Sequence, residues 1–321
     1  MFTRKILALG FAVTLLVLTG RDATAEVRTT KIIVPMAPGG AVDFVARVLA
    51  EAVGRINNQA VVVETRPGAG SVVGTEVATR ATADGHTVLI NAGGNLLIPP
   101  QLHRLNYDPL TSLKPICKLV TVPDIIAVNG NSSYRTLADL IGAARAKPYD
   151  VSMASLGPAT DLQVAVEKLM RTADVHMTFV PYPGVAPAIS ALLGQQVSSV
   201  LTSYSSAAQQ IKAGTLRALA ATTGERIRQL PDVPTVAESG YRDYGVEFWF
   251  GLFAPANTPK RAIDQLAAQF AEALRSPEVK ARLDTQGLLP AVMCGADFAE
   301  FVREQYAEFG RVIREANLKA E

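Results

Sequence analysis

The residues of this chain most suited to chemistry sit in a few short loops. Pro38-Gly39-Gly40-Ala41-Val42-Asp43, Ala92-Gly93-Gly94-Asn95, Ser155-Leu156-Gly157-Pro158-Ala159-Thr160-Asp161 and Pro181-Tyr182-Pro183-Gly184-Val185 are rich in Gly, Ser, Thr or Asn, and Thr202-Ser203 adds two hydroxyls. Each follows an apolar, β-branched run, and an amphipathic segment comes next. The chemistry this suits is anion capture. Glycine lets backbone approach a ligand closely, and the unpaired N–H groups of a helix start hold a carboxylate without a cationic side chain. Ordinary strand-to-helix turns use the same residues for geometry alone. Four such loops spread along one chain favour a binding cleft over four unrelated turns.

Signatures of catalysis are missing. The sequence has no G-x-x-x-x-G-K-[ST], no G-x-G-x-x-G after a strand, no G-x-S-x-G and no H-E-x-x-H. His86, His103 and His176 are scattered, without metal-ligand spacing, and read as surface or packing residues. No enzymatic activity, metal or cofactor is therefore expected.

The elements that must position these loops alternate between strand and helix. Strands are predicted at 31–34, 60–64, 87–91, 124–128, 151–154, 176–180, 197–201, 216–221 and 246–254. Helices are predicted at 43–53, 72–81, 137–146, 161–170, 186–193, 206–213, 260–274, 276–286 and 296–316, with Ser71 and Thr136 as caps. Repeated βα order implies parallel-rich sheets with helices on both faces, and in such sheets ligands collect at the carboxyl ends of the strands. The expected fold class is α/β and two-lobed, with chain crossings near Val122–Val128 and Phe248–Ala254. Lobe 1 is expected to comprise 26–124 and 248–321, and lobe 2 to comprise 125–247.

Residues 1–25 read as a signal peptide. Arg4 and Lys5 precede an apolar run from Ile6 to Leu18, and Ala23-Thr24-Ala25 fits the small-x-small cleavage pattern before Glu26. Removing Arg4, Lys5, Arg21 and Asp22 leaves 28 basic and 28 acidic residues. A neutral chain with few aromatics argues against a nucleic-acid surface. Only Cys117 and Cys294 exist, and export permits a disulfide between them. A bridge and two separately buried thiols both remain open, since bridging needs the fold to bring the two together.

Several blocks resemble the periplasmic solute receptors of tripartite tricarboxylate transporters, the Bug family. They are Pro35–Asp43, Val62-Val63-Glu64-Thr65-Arg66-Pro67-Gly68-Ala69-Gly70, Ala83-Asp84-Gly85-His86-Thr87, Val180-Pro181-Tyr182 with Gly184, Ile211–Ala220, Leu230–Glu238 and Trp249–Pro255. The resemblance covers nearly the whole mature chain, and the number and order of the blocks make it specific. It implies a Venus-flytrap receptor, expected to be a periplasmic monomer that closes on a small organic acid and passes it to cognate membrane permease subunits. A two-lobed sensor feeding a kinase is the rival binding role, and an exported α/β hydrolase the rival enzyme.

Carried over by position, the resemblance implies ligand contacts at Gly39, Gly40, Val42 and Asp43. It adds Ala92, Gly93, Gly94 and Asn95, then Ser155, Gly157, Thr160 and Asp161, then Tyr182, Gly184, Thr202 and Ser203. Asp43 also suits a helix-start role, Tyr182 and Trp249 suit packing, and Arg66 suits an ion pair. Val42, Pro183 and Thr202 depart from the family pattern, in which Thr, Lys and Asp are common. From Thr202 follows the expectation that an amino acid zwitterion is not selected, because its ammonium would lack a counter-charge in a closed cleft.

Overall fold

The computed structural model describes residues 29–157, 160–244 and 246–319. The expected leader and cleavage site lie outside these residues, as do Pro158 and Ala159 of the third loop.

The chain alternates strand and helix from its first described element. β1 (Thr30–Val34) leads to α1 (Ala41–Asn57), β2 (Val61–Thr65), α2 (Val72–Thr79), β3 (Thr87–Ala92), α3 (Gly93–Leu97) and α4 (Pro99–Leu102). β4 (Leu113–Val122) then runs through Pro123 into β5 (Asp124–Asn129). α5 (Leu137–Ala146), β6 (Ser152–Leu156), α6 (Asp161–Ala173), β7 (Thr178–Tyr182), α7 (Val185–Leu193), β8 (Ser199–Ser203), α8 (Tyr204–Lys212) and β9 (Leu216–Ala221) follow. The chain returns through β10 (Phe248–Pro255) and ends with α9 (Lys260–Arg275), α10 (Pro277–Asp284), β11 (Leu289–Cys294) and α11 (Ala296–Glu315).

The strands form two sheets. One has the order β11-β4-β10-β3-β1-β2, the other β7-β6-β8-β5-β9. β1 pairs in parallel with β2 and β3, whereas β10 runs antiparallel to both β3 and β4. All eight residues of β10 are buried, as a strand covered on both faces requires. Helices α1 and α9 close one face of the six-stranded sheet, and α3 and α11 the other. Helices α5 and α6 pack on one face of the five-stranded sheet, α7 and α8 on the opposite one. This is the two-lobed α/β fold.

The crossings fall where the sequence places them. Val122 ends a strand of the first sheet, and Asp124, two residues later, opens a strand of the second. Two strands escape the periodicity reading. β4 lies ahead of the first crossing, and β11 holds a sheet edge. They face each other in antiparallel register, with Cys117 opposite Cys294, and the two cysteines form a disulfide. Of the two thiol states the sequence left open, the fold takes the bridge.

Local capping follows the sequence closely at α5. Thr136 Oγ1 accepts from Asp139 N, and the Asp139 carboxylate accepts from Thr136 N in return. Ser71 departs from expectation. It occupies the N-cap position of α2 with φ of 90°, but its hydroxyl does not cap the helix. Ser71 Oγ donates 2.8 Å to the Asn95 carbonyl, tying the Gly68-Ala69-Gly70 turn to the short helix α3. The expected glycine turn at 92–95 is also different: β3 runs directly into the short helix α3.

The lobes touch through α6 and α11. Val164 of α6 is buried in the aromatic and aliphatic cluster built around Phe298, Val302 and Trp249. Lys168 pairs with Glu308 at 2.6 Å, and Arg171 with Glu315 at 3.0 Å.

Candidate functional site

Four strand ends converge between the lobes. Met36 follows β1, Ala92 ends β3, Leu156 ends β6 and Ser203 ends β8, and all four line one cavity of about 250 Å³. Its wall also includes Ala41, Val42, Asn95, Val122, Asp124, Asp161, Leu162, Val185, Phe248, Trp249 and Phe250. The carboxyl ends of strands and the two crossings thus meet at one place, where α/β folds bind ligands.

Five helices begin at this wall. Ala41 and Val42 open α1, Asp161 and Leu162 open α6, and Val185 opens α7. Ala92 and Ser203 are the N-cap residues of α3 and α8. First-turn N–H groups have no partner within their own helix, and the dipoles of the helices add positive potential at the same point. Among the described residues, the lining contains no Lys, Arg or His. The donors available to an anion here are main-chain N–H groups and the neutral side chains of Asn95, Ser203 and Trp249.

The first loop is held by its own side chain. Gly39 adopts φ of 87°, in the left-handed region that glycine enters without strain, and its N–H donates 2.9 Å to Asp43 Oδ2. Arg47 Nε donates to the same oxygen at 2.9 Å. Burial pushes the Asp43 pKa up, but the hydrogen bonds from Arg47 and Gly39 outweigh it and hold the carboxyl below its ordinary value. Asp43 therefore acts as the post that fixes the loop, and with Gly39 and Gly40 it stands outside the cavity lining. Gly40 is the N-cap of α1. Val42 is buried and lines the cavity.

In the second loop, Ala92 and Asn95 line the cavity. The Ala92 N–H is taken by Asn91 Oδ1 at 2.8 Å, and Asn91 Nδ2 in turn donates to Thr75 Oγ1 at 3.1 Å. Gly93 lies against the indole of Trp249. Gly94 lies against the Asp161 side chain from the other lobe, where an added Cβ would stand 2.5 Å from Asp161 Cβ.

The second lobe contributes fewer of the expected residues. Asp161 and Ser203 line the cavity. Thr160 caps α6, accepting from Gln163 N at 3.2 Å and donating to the Gly157 carbonyl at 3.0 Å. Ser155 is buried, and its hydroxyl is committed to the Leu201 carbonyl at 3.1 Å. Thr202 is buried with its Oγ1 unpartnered among the described residues, and it lies off the cavity wall. Tyr182 packs half-buried against the cluster under α7, and Gly184 is the N-cap of α7. Ser155, Gly157, Tyr182, Gly184 and Thr202 thus shape the wall from behind.

Asp124 escaped the sequence reading. It is 3 % exposed, lines the cavity, and among the described residues is the only acid besides Asp161 that does so. Burial pushes its pKa well above the ordinary carboxylate value, and the nearby Asp161 adds to the rise. Burial likewise raises Asp161 to about 6, against hydrogen bonds from the Leu162 N–H and its own N–H. The signal was available: Asp124 is a lone acid at the head of the apolar strand Ile125–Val128, at a predicted crossing. Trp249 is buried as expected, in edge contact with Phe298 and Phe301 at 5.4 and 5.5 Å, yet it also lines the cavity. Its Nε1–H has no acceptor among the described residues.

A second cavity of about 620 Å³ adjoins the first and shares Asn95 and Asp161 with it. It opens beside His103 and Arg104, away from the crossings. Arg66 pairs with Glu64, the structural role expected of it.

Comparisons with known proteins agree with this geometry. Residues 45–318 match the model of the tripartite tricarboxylate transporter family receptor. The chain is 34% identical over 289 residues to a protein of the tcbD–tcbE intergenic region of Pseudomonas sp. strain P51, covering 90% of this chain and 86% of that one. It is 32% identical over 304 residues to BugT of Bordetella pertussis, covering 92% and 91%. Among solved structures, the periplasmic binding protein BugD superposes with a TM-score of 0.72 at 31% identity, covering 92% of this chain and 99% of that one. MatC of Rhodopseudomonas palustris with bound malate has a TM-score of 0.71 at 27% identity over 90% and 99%. An R. palustris protein with adipate has 0.75 at 27% over 91% and 98%. With two lobes, a cleft between them and a family match along most of its length, the chain belongs to the tripartite tricarboxylate transporter receptor family, as a solute-binding receptor of the Bug type.

Proposed function

We propose that this receptor captures a small carboxylate-containing metabolite in the 250 Å³ inter-lobe cavity and presents it to a membrane permease. The observation that carries the reading is the convergence of five helix starts, drawn from both lobes, on a cavity whose lining, among the described residues, has no cationic side chain. Main-chain N–H groups and helix dipoles favour a carboxylate there, and a site shared by two lobes couples binding to closure. The relatives with malate and adipate agree with this ligand class.

In this reading, 26–124 with 248–321 form one jaw and 125–247 the other. Val42, Ala92, Asn95, Asp161 and Ser203 touch the ligand, and Gly39, Gly40 and Gly184 shape the loops that carry the donors. The protein acts as a periplasmic monomer released by cleavage between Ala25 and Glu26.

A thermal-shift screen of organic acids tests the proposal, because a ligand that binds only the folded state raises the melting temperature by mass action. One or more small carboxylates should give a dose-dependent rise. Absence of any rise across mono-, di- and tricarboxylates, aromatic acids and amino acids would contradict it.

A further inference from the structure

The expectation that this receptor passes over zwitterions rested on the lack of a counter-charge at Thr202. The cavity supplies one elsewhere. Asp124 and Asp161 line it together, one at the head of β5 and the other at the first position of α6. Among the described residues, neither carboxyl pairs with a Lys or Arg. Among the described residues the Asp124 carboxyl accepts no hydrogen bond, although the residue is almost fully buried; it is its main-chain carbonyl that accepts, from Thr222 N and Oγ1. An unpartnered carboxyl in that position is costly, and sequences retain such groups where something else partners them.

The rest of the wall sharpens what that partner is. Leu156, Leu162, Phe248 and Trp249 make the surroundings of the two acids apolar, so a cation arriving there is desolvated and strongly attracted. The helix starts of α1, α3, α7 and α8 offer donors for a carboxylate on the same cavity. The wall therefore offers both main-chain donors and two carboxyl acceptors.

We infer that Asp124 and Asp161 form a subsite for a protonated nitrogen, so that the ligand is an aminocarboxylate rather than a plain di- or tricarboxylate. The inference rests on the proposed carboxylate site and names a second chemistry of the same wall. It assigns Asp124 and Asp161 as the residues that set specificity.

Calorimetric titration of the mature protein with matched acid pairs tests this. The pairs are succinate and aspartate, glutarate and glutamate, butyrate and 4-aminobutyrate, benzoate and 4-(aminomethyl)benzoate. In at least one pair the amino member should bind more tightly by about tenfold or more, and Asp161→Asn should erase that preference. Asp124→Asn, a near-isosteric change at the buried position, should do the same. Equal binding within every pair, tighter binding of the plain member, or a preference that survives in both variants overturns the subsite and leaves the carboxylate receptor standing. Failure of every member of every pair to bind overturns both.

Discussion

The Gly94 backbone and the Asp161 side chain meet across the cleft with no room between them. Gly94 belongs to α3 of one lobe and Asp161 to α6 of the other, and a Cβ on Gly94 would fall 2.5 Å from Asp161 Cβ and Cγ. Real side chains do not tolerate such a separation, so the lobes reach this spacing only because residue 94 is glycine.

Gly94→Ala should therefore hold the jaws apart without harming either lobe. Affinity for the cognate acid should fall by about tenfold or more, equivalent to roughly 1.4 kcal/mol or above. The melting temperature of the ligand-free protein should stay within about 2 °C of wild type, because the nearest atoms to the added methyl are those of Asp161 in the opposite lobe. Calorimetry and thermal melts on the same preparations check both halves.

The ion pairs between α6 and α11 should assist closure modestly. Lys168–Glu308 is largely shielded from solvent, whereas Arg171–Glu315 is exposed. Lys168→Ala should weaken binding about two- to fivefold, and Arg171→Ala should have a smaller effect. Raising the salt concentration should narrow the gap between wild type and variant. Titrations at low and high salt provide the check.

The Cys117–Cys294 bridge should matter to stability and not to ligand choice. It ties the edge strand β11 to β4 across 177 residues of sequence, remote from the cavity wall. Replacing both cysteines by serine should cost about 2–5 kcal/mol, read from urea unfolding, with ligand affinity nearly unchanged in native conditions.

Asp161 should give the protein a pH-dependent stability of unusual sign. Its folded pKa is raised to about 6 from an ordinary 3.8, so between those values the folded state binds more protons than the unfolded one. The group's contribution is then fully present at low pH and is lost as pH rises through about 6. Asp161→Asn removes the effect. The melting temperature of the variant minus that of wild type should increase between about pH 4.5 and 7.5, by an amount on the order of 1–2 kcal/mol in stability. Asp124 shifts in the same direction and persists in the variant. Melting curves across this range provide the check, and a difference that is flat or falls with pH would contradict it.

The two-lobed fold was legible in the sequence because strand and helix periods alternate with punctuating glycines, and both crossings fell where expected. β4 and β11 were not legible. β4 has polar residues at Lys114 and Lys118 on a strand whose burial is set by β10 and the α11 aromatics, and β11 carries Pro290 in a short edge strand. Among the residues lining the cavity, Val42, Ala92, Asn95, Asp161 and Ser203 were legible as strand ends and helix starts. Ser155 was misleading, since a hydroxyl at a strand end looks the same in sequence whether it faces a ligand or, as here, the Leu201 carbonyl. Asp43 was readable as a helix-start acid, but its hold on the Gly39 N–H depends on the loop folding back. The role of Asp124 needed the second lobe, because only there does Asp161 come to face the same space.

Trp249 is the sole tryptophan of the chain and lines the inter-lobe cavity, so its fluorescence reports on that cavity alone. Titrating the protein with an acid that raises its melting temperature should give a saturable change in Trp249 emission, with a midpoint matching the calorimetric Kd. An acid that binds by calorimetry and stabilises the fold, yet leaves Trp249 emission unchanged, would place the ligand outside the cavity and contradict the account.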